Sequence, residues 1–234
     1  MTTTTVDPTT ADVGPDITNY RMVHRAIRAG AHRLADAAAT MDPADRRRAL
    51  AVAQWGEGYL GELHAHHTIE DDFFFPALVR KVDEAGDLIA RTDADHAEMT
   101  DLMARLEPQF ALLAKREADL HVPGGLAQTL ARLAMLMDDH LDFEDAEILP
   151  LFASRFSVHE YEALDQQALK SLGLGKQAMF TVPFIVAAAS AEEHAEMLAG
   201  APVPMRVLHR LAKRGYERRT ALAFPSVDRT LVAA

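Results

Sequence analysis

Apolar residues recur at steps of three and four through most of the chain, and the strict alternation that marks strands is scarce. The pattern predicts an almost all-α protein. A first helix is expected from Thr18 to about Ala39. Asp42-Pro43-Ala44-Asp45 reads as the next helix start, with Asp42 as cap and Pro43 at the first helical position. That second helix is expected to reach about Phe75, where Pro76 ends or kinks it. Gly86 marks a break, and a third helix carries Leu88 to about Ala118, with Pro108 as a candidate kink. Pro123-Gly124-Gly125 reads as a turn, and a fourth helix runs from Leu126 to about Leu149, where it meets Pro150. Three or four shorter helices are expected between Val158 and Phe224, separated at Gly173 and Gly175. Ser157 with Glu160, and Ser190 with Glu193, fit the reciprocal capping box of a helix start.

Composition narrows the function. The chain has 234 residues, 49% of them hydrophobic, enough for one large domain with an appendage. A formal charge of -11 argues against a nucleic-acid partner, because phosphate binding wants a basic face. With no Cys, disulfides, thiolate-bound zinc, iron–sulfur clusters and thiol catalysis are excluded, and the chain suits the cytoplasm. Met1 to Asp16 is Thr-rich, without Lys, Arg or an apolar run, and reads as a disordered tail rather than a signal peptide. The run Ala178 to Ala189, interrupted by Pro183, is too short for a bilayer span of about 20 residues, so no membrane partner is expected. Arg206, Arg210, Lys213, Arg214, Arg218 and Arg219 read as a solvated helix face.

One spacing pattern occurs twice. His66-His67-Thr68-Ile69-Glu70-Asp71 leads to Pro76, and His140-Leu141-Asp142-Phe143-Glu144-Asp145 leads to Pro150, so each pattern has His, three residues, Glu-Asp, and Pro six residues after the Glu. A His-bearing segment precedes each: His24 lies 42 residues ahead of His66, and His96 lies 44 ahead of His140. Leu34 and Leu106 each follow those His residues by ten. Such duplicated helix pairs build a four-helix bundle with approximate two-fold symmetry.

Residues four apart share one helix face. Two His-x-x-x-Glu helices and two single-His helices therefore bring four imidazoles and two carboxylates to a common centre. Imidazole suits iron, zinc, copper and nickel, and carboxylates bridge ion pairs. A single His-x-x-x-Glu is usually a surface pair, but the matched repeat shifts the reading to metal ligands. Six convergent ligands exceed what a single hydrolytic zinc uses.

These residues resemble the hemerythrin-like family, in its HHE cation-binding branch. The likeness rests on His24, His66, Glu70, His96, His140 and Glu144 and covers roughly residues 17 to 153. It implies an up-down-up-down bundle and a non-haem centre of two irons, bridged by oxide or hydroxide, that handles oxygen, peroxide or nitric oxide. Four His, two bridging Glu and one bridging oxygen would leave about two of the roughly twelve positions of two octahedral ions open. Oxygen-carrying hemerythrins have a second His four residues after the third-helix His; here that residue is Thr100. Where they have an Asp five residues after the last-helix His, this chain has Asp145, with Glu144 one residue nearer. Glu144 matches Glu70 in the repeat and is the expected ligand, with Asp145 as fallback.

The expected organisation is a tail (residues 1–16), a diiron bundle (17–153) and a C-terminal helical extension (154–234). Asp71, Asp72, Asp139, Asp142 and Asp145 crowd the motifs, as imidazole-orienting groups or plain surface charge. His64 and His67 are expected off the metal face or one turn away. Met99, Met103, Met135 and Met137 are expected to pack in the core. Tyr59 is read as a packed residue or a pocket-lining phenol, and Arg28 and His32 share the His24 face. The run from Phe180 to Val186 is expected to bury against the bundle, or to line a channel or dimer contact. Two functions compete: a diiron protein reacting with oxygen, peroxide or nitric oxide, with catalase- or peroxidase-like turnover as an option, or a sensor signalling through its C-terminal helices. A metal-free interaction protein is the third reading.

Overall fold

The computed structural model describes residues 14–42, 44–115, 122–173 and 175–225, and the regular elements among them are all helical. The expected N-terminal tail lies mostly outside the described residues; Gly14 to Asp16 are irregular. Helix α1 spans Thr18–Thr40. Helix α2 spans Arg46–Ile69, a π-helical turn follows over Glu70–Phe74, and α3 continues the same rod over Phe75–Lys81. Helix α4 is Ala85–Ala114. The arrangement then repeats, with α5 over Val122–Phe143, a π-helical turn over Glu144–Ile148 and α6 over Leu149–Arg155. Helices α7 (Val158–Leu172), α8 (Ala178–Val186), α9 (Ala191–Gly200) and α10 (Val203–Ala223) complete the fold.

Several predicted boundaries move. The α2 cap is Asp45, whose side chain accepts from the Arg48 backbone N–H at 3.0 Å, while Asp42 Oδ1 accepts from Ala44 N–H at 2.8 Å. Asp42 thus closes a local turn before the helix, and Pro43 lies outside the described residues. Pro123, Gly124 and Gly125 form the first turn of α5 rather than a linker; a proline is tolerated there because first-turn N–H groups have no intrahelical acceptor. Pro76 and Pro150 do not end their rods. A proline ring clashes with the carbonyl four residues back in an α-helix. Here each proline follows a π turn, in which Phe75 N–H reaches Glu70 O and Leu149 N–H reaches Glu144 O, five residues back. The widened turn lets the chain pass the proline while staying helical. Helix α4 takes Gly86 into its first turn instead of breaking there, and it ends at Ala114, short of the expected Ala118, where Lys115 turns extended. Both capping boxes form as predicted.

Helix α1 packs against α5 and α2, and α4 packs against α2 and α5, which closes a ring of four. Ile27, Ala31 and Leu34 of α1 meet Val52, Trp55 and Leu63 of α2, Met99, Leu106 and Phe110 of α4, and Leu130, Leu133 and Met137 of α5 in one buried cluster. Truncating any such Leu to Ala would cost about 2–5 kcal/mol. A second cluster holds Tyr20, Phe74, Phe75, Leu78, Ile148, Leu149, Phe152 and Tyr161. The polar layer falls between the two: along α1, for example, His24 lies between Tyr20 of one cluster and Ile27 of the other. Met135 is a correction: it is 60% exposed, whereas Met99, Met103 and Met137 are buried.

The run from Phe180 to Val186 is buried against the bundle as helix α8, which contacts α1, α2 and α10. Small residues make room for it. A Cβ on Gly58 would lie 2.4 Å from the Phe180 ring, and one on Gly61 would lie 2.4 Å from Gln177 Oε1. Gln177 Nε2 donates to the Gly58 carbonyl at 2.9 Å in the space left. Trp55 stacks on Tyr59, meets Phe180, Phe184 and Phe224 edge-on, and donates to Thr220 Oγ1 at 3.1 Å.

Candidate metal centre

Five imidazoles and two carboxylates meet in the polar layer. Potential ligand atoms of His24, His66, Glu70 and Glu144 lie within 4.8 Å of one another, and so do those of His67, Glu70, His96 and His140. Glu70 belongs to both groups. Its Oε1 lies 3.1 Å from His66 Nε2 and 3.9 Å from His24 Nε2, and its Oε2 lies 3.6 Å from His96 Nε2. Glu144 also reaches both ways, with Oε2 3.4 Å from His24 Nε2 and Oε1 3.4 Å from His140 Nε2. Each Glu opens a π turn; π turns are frequent at functional sites.

Among the described residues, the Nε2 atoms of His24, His66, His67, His96 and His140, Glu70 Oε2 and both Glu144 carboxylate oxygens are buried without a hydrogen-bond partner. One such buried group costs about 1–3 kcal/mol, so a cluster of them is poor packing unless something binds it. The donors are all nitrogen and oxygen, an environment that suits a borderline metal such as iron. The residues present therefore fit a pair of metal ions.

The outer face of the layer orients the rings. Asp145 Oδ1 lies 2.9 Å from His24 Nδ1 and Asp71 Oδ1 lies 3.1 Å from His96 Nδ1, so each motif's Asp holds the single His of the opposite helix pair. Asp95 Oδ2 approaches His140 Nδ1 at 3.4 Å. A carboxylate at Nδ1 fixes the proton there and turns the Nε2 lone pair inward. Asp145, the fallback ligand, thus stands outside both convergent groups, and Glu144 stands within one. Tyr20 donates its hydroxyl to Glu70 Oε1 at 2.7 Å. Asp72, Asp139 and Asp142 do not join either group; Asp142 and Asp138 instead pair with Arg28, and Asp138 with His32. Tyr59 is a packed residue whose hydroxyl donates to the Ile27 carbonyl at 3.1 Å.

The electrostatics separate the two carboxyls. Burial raises the Glu144 carboxyl well above its ordinary range, and repulsion from Glu70 adds to this. Burial pushes Glu70 the same way, but attraction to His66 first, and to His67 and His24, outweighs it and holds Glu70 well below. Burial lowers His66 to about 4 and His140 to about 3 from the ordinary 6.5, and takes His67 well below. Burial also works against charge on His24, but its hydrogen bond to Asp145 prevails and raises it. Most of these imidazoles are therefore neutral near pH 7, the state that ligates metal.

A family profile described as Hemerythrin HHE cation binding domain matches residues 16–152. The chain belongs to the hemerythrin family. Among curated proteins and among solved structures, no match is found. The hemerythrin match takes in α1 through α5, ends within α6 and leaves α7 to α10 outside. No helix among the described residues is long and apolar enough to cross a membrane. Within this hemerythrin-family bundle all six sequence-predicted residues, His24, His66, Glu70, His96, His140 and Glu144, lie in the convergent groups. His67 joins them, although the sequence placed it off the metal face or one turn away, and it supplies an imidazole that Thr100 does not. Thr100 turns its hydroxyl to the His96 carbonyl at 2.9 Å. The signal for His67 was the His66-His67 doublet, masked because its counterpart in the repeat is Leu141. The other feature missed was Tyr20, four residues before His24 and on the same helix face.

Proposed function

We propose that this hemerythrin-family chain is a non-haem diiron protein of an up-down-up-down bundle, acting in the cytoplasm on dioxygen, peroxide or nitric oxide in oxidative or nitrosative stress defence. The observation that carries the reading is the pair of buried donor groups that share Glu70. His24 and His66 would hold one iron, His67, His96 and His140 the other, with Glu70 and Glu144 between them. Two irons bound there would supply reversible redox chemistry toward small oxygen- and nitrogen-oxide ligands. Five imidazoles, two bridging carboxylates and one bridging oxide or hydroxide fill about eleven of the roughly twelve positions of two octahedral ions. About one position is then left for an outside ligand, one fewer than the sequence count.

The chain's own groups set the terms of binding. Asp145 and Asp71 keep the His24 and His96 rings aimed inward, and Tyr20 holds one Glu70 oxygen. Residues 154–234 act as an extension that seals the side of α2 through α8 and α10. That contact also supports the sensor reading. Thr181 of α8 donates to the buried Glu62 carboxylate, one helical turn before His66, so a change at the centre has a route to the C-terminal helices.

Elemental analysis with an ultraviolet–visible spectrum tests the diiron reading. The expected outcome is about two irons per chain with oxo-to-iron charge-transfer bands, and peroxide or nitric oxide should change the bands. Absence of iron after reconstitution sinks it. Bands that respond to peroxide without catalytic turnover favour the sensor.

A further inference from the structure

Tyr20 occupies a place that metal binding alone does not explain. Its ring lies edge-on to His24 at 5.0 Å and to His66 at 6.0 Å, and its hydroxyl donates to Glu70 Oε1 at 2.7 Å. A phenylalanine would fill the same volume, and water or a neighbouring imidazole can serve a carboxylate oxygen. The phenol adds one property, an electron removable together with its proton.

Behind Tyr20 the aromatic packing is continuous. Its ring contacts Phe74 at 5.2 Å and Phe152 at 6.5 Å, and those same rings contact Tyr161 at 5.8 and 6.1 Å. Centroid separations of this size are those of interacting aromatic pairs. Tyr161 belongs to α7, beyond the stretch matched by the family profile. Burial first, and then the charges of Asp165, one helical turn on, and of Asp16, raise its phenol above the ordinary value.

We propose that Tyr20 and Tyr161 form a two-step electron-donating pair that serves the metal centre when it meets hydrogen peroxide. The proposal rests on the diiron reading above. Reduction of one peroxide to two waters breaks the O–O bond and consumes two electrons and two protons. Tyr20 passes one electron inward, and its phenolic proton passes by way of Glu70 Oε1 to a peroxide oxygen. Tyr161 supplies the second electron through Tyr20, releasing its phenolic proton to solvent while solvent returns one at the centre. The balance is one peroxide and two tyrosines giving two waters and two neutral phenoxyl radicals. Phe74 and Phe152 fill the space between the two phenols and stay unoxidised. The pair draws oxidising equivalents away from the buried imidazoles toward α7.

The test is electron paramagnetic resonance on the iron-loaded full chain, frozen at intervals after hydrogen peroxide is added, with iron content and peroxide consumption measured on the same samples. The expected result is an organic radical whose hyperfine pattern changes when the protein carries ring-deuterated tyrosine. Tyr20→Phe should lose the signal entirely, whereas Tyr161→Phe should retain a radical at Tyr20. A nitroso spin trap followed by peptide mass mapping should place the adduct on Tyr161 in the wild type, and this decides the matter if Tyr20→Phe fails to hold iron. Normal iron and peroxide consumption with no tyrosine radical and no adduct, or the same radical in Tyr20→Phe, overturns the proposal and leaves the diiron reading intact. Failure to load iron overturns both, and iron loading without any reaction with peroxide overturns this proposal alone.

Discussion

The two helix pairs of the bundle carry the same frame and differ at two positions that face the metal layer. The shared frame is a single His (His24, His96), a His-x-x-x-Glu (His66 to Glu70, His140 to Glu144), a π turn opening at the Glu, and a Pro six residues on. The pairs brace each other, since Asp71 of the first holds His96 of the second and Asp145 of the second holds His24 of the first. The differences follow the second His and precede the first. His67 stands where the other pair has the buried Leu141, and Tyr20 stands where it has Thr92. The frame accounts for the common scaffold, and the departures make the two donor groups unequal.

Changes to the shared element should do the most damage. Glu70 takes part in both groups, so Glu70→Ala should reduce bound iron from about two per chain to near none, read by elemental analysis. Retention of one iron would mean that Glu70 does not join the positions. His67→Leu gives the first pair the residue of the second. It should leave about one iron per chain and shift the charge-transfer bands, because only the His67, His96 and His140 group loses a donor. Unchanged iron and spectrum would place His67 outside the centre.

The bracing makes a symmetric prediction of intermediate size. Asp71→Asn and Asp145→Asn should each weaken metal affinity about 10- to 100-fold by competition with a chelator, and by similar factors. An effect in one alone would break the two-fold account. Outside the pairs, Gly58→Val drives a side chain into Phe180, where even a Cβ comes within 2.4 Å. It should lower stability by about 1–3 kcal/mol in urea unfolding while leaving the iron content in place.

The last expected effect is on pH. In the iron-free protein His66 and His140 are held neutral, lowered to about 4 and about 3 from 6.5. The unfolded chain then binds more protons than the folded one between those values, so their contribution is present above pH 6.5 and is lost as the pH falls toward 3. The urea midpoint of the iron-free protein should fall across that window, and more steeply than in His66→Leu. Equal slopes would contradict the assignment.

Much of this arrangement was legible in the chain, because helix periodicity and the His-x-x-x-Glu repeat are local patterns with a geometric consequence. Helices α1 and α4, the two capping boxes and the burial of Phe180 to Val186 follow from such patterns. Pro76 and Pro150 misled because a π turn removes the clash that normally ends a helix, and nothing in residue propensity announces it. Pro123-Gly124-Gly125 misled because the same residues suit a turn and a helical first turn. Asp42 and Asp45 are both competent caps, and only the direction of the chain chooses between them. His67 was hidden by the symmetry that exposed the others. The role of Gly58 and Gly61 was illegible because it depends on α8, more than 100 residues later in the chain.

The central claim is two unequal cation positions sharing Glu70. Anomalous X-ray diffraction at the iron edge, on crystals of the iron-loaded full chain, tests it most directly. The account predicts two peaks, one beside His24 and His66, the other beside His67, His96 and His140, with Glu70 and Glu144 between. A single peak, or two peaks with Glu70 turned away from either, would contradict it.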